Sequence, residues 1–305
     1  MRSAFLFPGQ GSQYEGMLHD LPDDPVVKEI LEESTEILNT TIESLHSKKA
    51  LSTTKAVQQC LLIASVGTYK AFEKNGLIPN FVAGHSVGAF GAATASGVIS
   101  FAEALRLVTL RGELMEKTCD DGYGMAVVLG LDEYRISEIV NKLFLENEPV
   151  YVSNRNAPTQ VTLSGSLKGL QKVIDYVKTN GAKSAQLLNV STPSHCPLFN
   201  GVSEELLGEL NKLELKRPKI PISSNITSRL LMQADAVKED LAKSICHPVR
   251  WHDAVNLLFE SGTQIFIEMP PGDVLTKLAQ QAFPEAQTMS ISKSSIEDCF
   301  YVMTN

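Results

Sequence analysis

Gly84-His85-Ser86-Val87-Gly88 sets a serine between glycines in G-x-S-x-G spacing. That spacing builds a sharp strand-to-helix turn, with the hydroxyl lifted above the sheet near a helix N-terminus. The flanks have the right character: apolar Phe81-Val82-Ala83 precedes the motif and a small-residue run, Gly88 to Gly97, follows it. A serine held in this way carries acyl groups, in transfer or in hydrolysis, once a base takes its proton. A glycine-rich turn with an incidental serine is the plain alternative, and the strand-before, helix-after context argues against it.

Six histidines could supply the base: His19, His46, His85, His195, His247 and His252. His195 is the best placed, in the proline-bracketed loop Thr192-Pro193-Ser194-His195-Cys196-Pro197, because loops at element ends carry functional groups. Position alone leaves a structural role, bonding backbone, equally open. His85 adjoins Ser86 and is expected to pack. Phe7-Pro8-Gly9-Gln10-Gly11-Ser12-Gln13 follows an apolar segment, so its amides could face the same sheet end as the serine. The Gln10 and Val87 N–H groups would then make a two-donor oxyanion hole, although a solvated glycine turn explains this loop as readily. Arg111 lies within the apolar helical run Leu105 to Met115, where a guanidinium is costly unless it is paired or exposed. It is either an ordinary helix charge or a planar fork for a substrate carboxylate.

The elements needed to position these groups can be read from hydrophobic periodicity. Ala4 to Phe7 and Phe81 to Ala83 read as buried parallel strands. Ser52-Thr53-Thr54 opens a helix with apolar positions Val57, Leu61, Leu62, Val66 and Tyr69. From Met125 to Val190 the order is β-α-β-β-α-β: strand Met125 to Leu129, helix Glu133 to Leu145, strand Val150 to Ser153, a turn at Asn156-Ala157-Pro158, strand Gln160 to Ser164, helix Leu167 to Thr179 and strand Ser184 to Val190. Strands Ile220 to Ser223 and Gln264 to Glu268, with helix Ala254 to Glu260 between them, return to the main sheet. The expected architecture is α/β: an α/β-hydrolase-like catalytic domain with a parallel sheet, residues 1–124 and 191–305, interrupted by a ferredoxin-like subdomain at 125–190. Sites form at such junctions.

Composition sets outer bounds. The 305 residues, 43% hydrophobic and 20% charged, are those of a globular protein with a large core. The net charge of −8 argues against nucleic acid as partner, and no apolar run is long enough to span a membrane. A cytoplasmic location is the default expectation. The five scattered cysteines lack Cys-x-x-Cys spacing, so neither a disulfide frame nor a metal site is expected.

Taken in order, the loop Phe7 to Gln13, the elbow at Ser86, Arg111-Gly112-Glu113-Leu114-Met115 and Pro193-Ser194-His195-Cys196 resemble the malonyl-CoA:acyl-carrier-protein transacylase family. Asn154-Arg155-Asn156 with Gln160, Pro248-Val249-Arg250-Trp251 and Glu268-Met269-Pro270-Pro271-Gly272 extend the likeness over nearly the whole chain. The resemblance implies Ser86 as nucleophile, His195 as base, Arg111 as clamp for the malonyl carboxylate, and the Gln10 and Val87 amides as oxyanion hole. It also implies a backbone carbonyl orienting the histidine, at the position of Ser244, where the family more often has glutamine, with Asn156 in support. Malonyl-CoA is the implied substrate, an acyl-carrier protein the implied partner, and no cofactor is bound. Family members of fatty-acid synthesis read Gly-His-Ser-Leu-Gly-Glu-Tyr at the elbow, whereas Val87, Ala89 and Phe90 stand here. Together with Met17 to Pro22, Gly122 to Met125 and Tyr151 to Asn154, that departure looks like the epsilon subunit of bacterial malonate decarboxylase, which would add the other decarboxylase subunits as partners. A transacylase of fatty-acid or polyketide synthesis is the alternative. A serine thioesterase or hydrolase would share the elbow, but its usual chain order puts an acid and then a histidine near the C-terminus. A non-catalytic scaffold would lack Ser86, His195 or Arg111.

Overall fold

The computed structural model describes residues 1–118, 122–190 and 192–304. Residue 191, where the main domain is expected to resume, and Cys119 lie outside the described residues. Six strands form the main sheet: β1 (Arg2–Phe7), β2 (Phe81–Gly84), β7 (Ile222–Ser223), β8 (Leu230–Leu231), β9 (Thr263–Glu268) and β10 (Gln287–Ser290). Their order is β10-β9-β1-β2-β7-β8, all parallel except for the β7–β8 hairpin at one edge. Alternation along β1 divides the core. Phe5 and Phe7 enter the cluster under helices Thr54–Lys74, Gly88–Ala95 and Phe101–Thr118, while Ala4 and Leu6 face Trp251, Val255 and Leu275 on the other side. Both faces are covered, which is why these strands read as continuous apolar runs.

Helix Thr54–Lys74 starts where the Ser-Thr-Thr signal places it, with the Thr53 side chain accepting from the Ala56 N–H. It crosses helix Phe101–Thr118 closely, and a Cβ on Gly112 would lie 2.5 Å from Lys55 Cα. Gly112→Ala is therefore expected to destabilise the protein by about 1–3 kcal/mol through overpacking against backbone. An unchanged urea midpoint would show that the crossing can relax at no cost.

The second sheet holds β3 (Tyr123–Leu129), β4 (Val150–Ala157), β5 (Gln160–Ser166) and β6 (Ser184–Leu187), all antiparallel, in the order β4-β5-β3-β6. Helices Glu133–Leu143 and Leu167–Thr179 pack on one face through Ile136, Ile139, Leu170 and Val173. This is the ferredoxin-like order expected from the sequence, so the fold is α/β with a separate antiparallel subdomain. Two local expectations are corrected. Asn156 is in a strand, because β4 runs on to Ala157 opposite Gln160 and the turn falls on Pro158-Thr159. The strand expected to reach Val190 stops at Leu187, where its pairing with β3 ends. Backbone hydrogen bonds from Val249 N–H to Ser153 and from Arg155 N–H to Val249 stitch the small sheet to the main body, and Arg155 pairs with Asp253 at 2.7 Å. Among the described residues no helix is long and apolar enough to cross a membrane, and no group of metal-ligating side chains is found.

Candidate active site

The turn at Ser86 is built by close approach. The His85 N–H donates to the Phe7 carbonyl at the end of β1, and a Cβ on Gly88 would sit 2.1 Å from that same oxygen. Only glycine lets the incoming helix Gly88–Ala95 start there. Ser86 takes a left-handed backbone, φ 55°, a conformation that costs a non-glycine residue about 1–3 kcal/mol and needs outside support. Part of that support is a hydrogen bond from the Ser86 N–H to Asn225 Oδ1 at 2.9 Å.

His195 also has positive φ, 63°, and its N–H donates to the Ile245 carbonyl at 2.7 Å. Its Nδ1 lies 2.6 Å from the Ser244 carbonyl oxygen. A carbonyl can only accept, so Nδ1 carries the proton and the lone pair on Nε2 faces the Ser86 hydroxyl 2.8 Å away. Burial, reinforced by the nearby Arg111 charge, pushes the imidazole down from 6.5 to about 3. A base loses activity as pH falls through its own pKa. The free protein's kcat/KM for an acyl thioester is therefore expected to stay flat from about pH 8 down to about pH 5. A fall centred near 6.5 in that profile would show the histidine to be far better solvated.

Arg111 is 1% exposed. Its Nη1 donates to Gln58 Oε1 at 2.8 Å and its Nη2 to Ser86 Oγ at 3.2 Å, while Nε is buried and, among the described residues, without a partner. Burial lowers the guanidinium to about 9, so it remains charged at neutral pH. No carboxylate pairs with it among the described residues. Gln58, itself 0% exposed, turns its amide nitrogen toward Met115 Sδ at 3.1 Å and Gln10 Oε1 at 3.4 Å. Among the described residues neither the Gln10 nor the Val87 N–H has an acceptor.

Ser86 and His195 line a cavity of about 130 Å³ with Gln10, Asn154, Asn156 and Thr192. A neighbouring cleft of about 760 Å³ shares Gln10, Leu188, Val190 and Thr192 with it, so the serine lies at the inner end of a larger opening between the two sheets. Asn156 Oδ1 accepts from His85 Nε2 at 3.0 Å, and His85 stands edge-on to Trp251 with ring centroids 5.4 Å apart. His85 thus packs beside the serine. Ser86, His195, Gln10 and Asn156 line this cavity, Arg111 and Ser244 bond to its lining residues, and Val87 adjoins Ser86, whereas His19, His46, His247 and His252 are not among its lining residues. Sequence reasoning missed Gln58 and Asn225. Gln58 sits one residue after Val57 and three before Leu61, within the apolar rhythm of helix Thr54–Lys74, and Asn225 follows a parallel strand at its C-terminal end. Both placements are signals.

An elbow serine, a histidine facing it and a buried cation beside it, on a doubly covered parallel sheet, define an enzyme that carries acyl groups on serine, in transfer or in hydrolysis. The acyl transferase domain family model matches residues 4–297. A malonyl CoA-acyl carrier protein transacylase of Bacillus subtilis (strain 168) is 35% identical over 294 residues, covering 95% of this chain and 93% of that one. The crystal structure of an acyl carrier protein S-malonyltransferase from Vibrio cholerae superposes with a TM-score of 0.92 at 33% identity, covering 98% of this chain and all of the other. A malonyl-transacylase solved in complex with a type II PKS acyl-carrier protein gives 0.92 at 33% identity, with 97% of each chain covered. The chain belongs to the malonyl-CoA:acyl-carrier-protein transacylase family.

Proposed function

We propose that the protein moves a malonyl group from malonyl-CoA to the thiol of an acyl-carrier protein through a malonyl-Ser86 ester. The observation that carries this reading is Arg111, a buried charge with no anion beside it among the described residues, 3.2 Å from the Ser86 hydroxyl. Burying an unpaired cation costs several kcal/mol, a cost offset when a carboxylated acyl group enters. His195 Nε2 takes the Ser86 proton as Oγ attacks the thioester carbon, and the oxyanion forms against the Gln10 and Val87 amides. The ester closes as the C–S bond breaks and coenzyme A leaves with the proton from His195. The carrier thiol then attacks the ester, giving its proton to His195, which returns it to Ser86 Oγ. Ser244 fixes the tautomer through its carbonyl, and Asn156 steadies His85 behind the nucleophile. These steps use the chain's own groups and no bound cofactor.

The small subdomain, 125–190, covers the ester between the two half-reactions and slows hydrolysis. The relatives are transacylases, one of them with a polyketide carrier. They favour fatty-acid or polyketide synthesis over the malonate decarboxylase branch suggested by Val87, Ala89 and Phe90 with the segments Met17 to Pro22, Gly122 to Met125 and Tyr151 to Asn154, and nothing in them supports decarboxylase subunits as partners. The test is to mix protein and malonyl-CoA without acceptor and to map the adduct by peptide mass spectrometry. A malonyl ester on Ser86 that discharges on adding a holo carrier protein is the expected result. Steady release of malonate without an adduct would make the protein a thioesterase.

A further inference from the structure

Ser86 and His195 lie on loops 109 residues apart, and among the described residues neither is held by a carboxylate. A buried acid nevertheless lies close by. We propose that Asp240 and Asn225 form a positioning brace that holds the strained Ser86 backbone in register with His195, an acid acting on the nucleophile's turn and not on the base. The inference rests on Ser86 being the nucleophile.

The sheet register brings these groups together. β7 pairs with β2 at Ala83↔Ser223, so Ser224 and Asn225 pass beside the elbow as the two strands leave the sheet. The Asn225 amide clips both sides of the turn. Its Oδ1 accepts from the Ser86 N–H and its Nδ2 donates to the Gly84 carbonyl, each at 2.9 Å. An amide is the one short side chain with an acceptor and a donor at that separation.

Asn225 is held in turn. Its carbonyl accepts from the Arg250 N–H at 2.8 Å and its own N–H donates to Asp240 Oδ2 at 3.1 Å. Asp240 Oδ1 accepts from the Ser224 hydroxyl and from the Ile226 N–H. Asp240 is 6% exposed, and burial raises its pKa against the pull of these donors.

The base is fixed from the same segment. Asp240 belongs to helix Ala234–Lys243, which runs straight into the turn Ser244–Cys246. The Ser244 and Ile245 carbonyls of that turn hold His195 Nδ1 and N–H. One helix end thus grips the nucleophile's turn through Asp240 and the base through the residues just beyond it. A simple turn cap at Ser224 to Thr227 would need Asp240 but would not need the Asn225 amide to span Gly84 and Ser86.

Rapid-quench acylation separates the two roles, with malonyl-Ser86 formation followed by intact mass against malonyl-CoA concentration. Asn225→Ala and Asp240→Asn should each lower the limiting acylation rate by about tenfold to a hundredfold, since small misplacements of reacting atoms have effects of this size. The half-saturating concentration should stay within about twofold, because neither side chain touches the acyl group. Two groups acting in series are non-additive, so the double variant should be no slower than Asn225→Ala alone. Limiting rates unchanged per folded molecule, with only the melting temperature lowered, would overturn the brace and leave a turn cap. Multiplying effects in the double variant would overturn it too. If Asn225→Ala does not fold, Asn225→Ser and the near-isosteric Asp240→Asn decide by the same rates. Absence of an adduct in the unaltered protein would overturn the transacylase reading and this one together, whereas an adduct with unaffected variants would remove the brace alone.

Discussion

Ser86→Ala is expected to lower malonyl transfer by roughly 10⁴- to 10⁶-fold, the range seen when the nucleophile of a covalent mechanism is removed. The fold should survive. Alanine keeps the Cβ already accommodated at φ 55°, and the Asn225 contact is to the backbone N–H. What disappears is the atom to which His195 Nε2 and Arg111 Nη2 both turn, at 2.8 and 3.2 Å. Intact mass after malonyl-CoA treatment should show no adduct while circular dichroism is unchanged. Retention of a few per cent of the activity would mean that acyl transfer does not pass through this ester, and would shift attention to direct attack by the carrier thiol.

Arg111→Met should separate substrate choice from stability. Truncating one member of a buried charge pair costs about 2–5 kcal/mol. Malonyl transfer, in which the guanidinium meets a carboxylate, is thus expected to fall about a hundredfold or more. Acetyl transfer, which offers no anion, should fall less than about tenfold. The free protein should respond in the opposite sense. Arg111 is 1% exposed, and among the described residues its Nε has no partner and its charge faces no anion. Methionine of similar length should therefore leave unfolding stability unchanged or raise it by about 1 kcal/mol, as apolar replacement of buried ions often does. Urea unfolding and parallel assays with the two thioesters check both arms. Equal losses for malonyl and acetyl groups would remove the carboxylate clamp, and a large stability loss would mean that the cation is satisfied in the free protein.

Much of the fold was legible because it rests on short-range pattern. The strand–glycine–helix sequence around Ser86 dictates its own turn, since burial of Phe81 to Ala83 and the tight space at Gly88 leave one way for the chain to pass. The ferredoxin-like order from Tyr123 to Leu187 follows from alternating and helical periods that each element carries locally. The strand ends were less legible, as at Ala157, because pairing with Gln160 extends a strand beyond its own apolar signal. The malonate decarboxylase likeness rests on Val87, Ala89 and Phe90 with Met17 to Pro22, Gly122 to Met125 and Tyr151 to Asn154, and the three elbow residues are buried beside the nucleophile, where they answer to packing as well as to pathway.

The sequence by itself determined which residues could do chemistry: a serine on an elbow, a histidine in a loop, an arginine stranded on an apolar helix. Whether that arginine is solvated or faces the serine was decided by the crossing at Gly112, which lays Arg111 against Gln58. Whether the histidine answers to a carboxylate or to a carbonyl was decided by where helix Ala234–Lys243 ends, at Ser244. The bracing of Ser86 by Asn225 follows from the β2–β7 register. Each is a relation between segments far apart in the chain, and distances of that kind are set by sheet register and helix packing, which no local run of residues encodes.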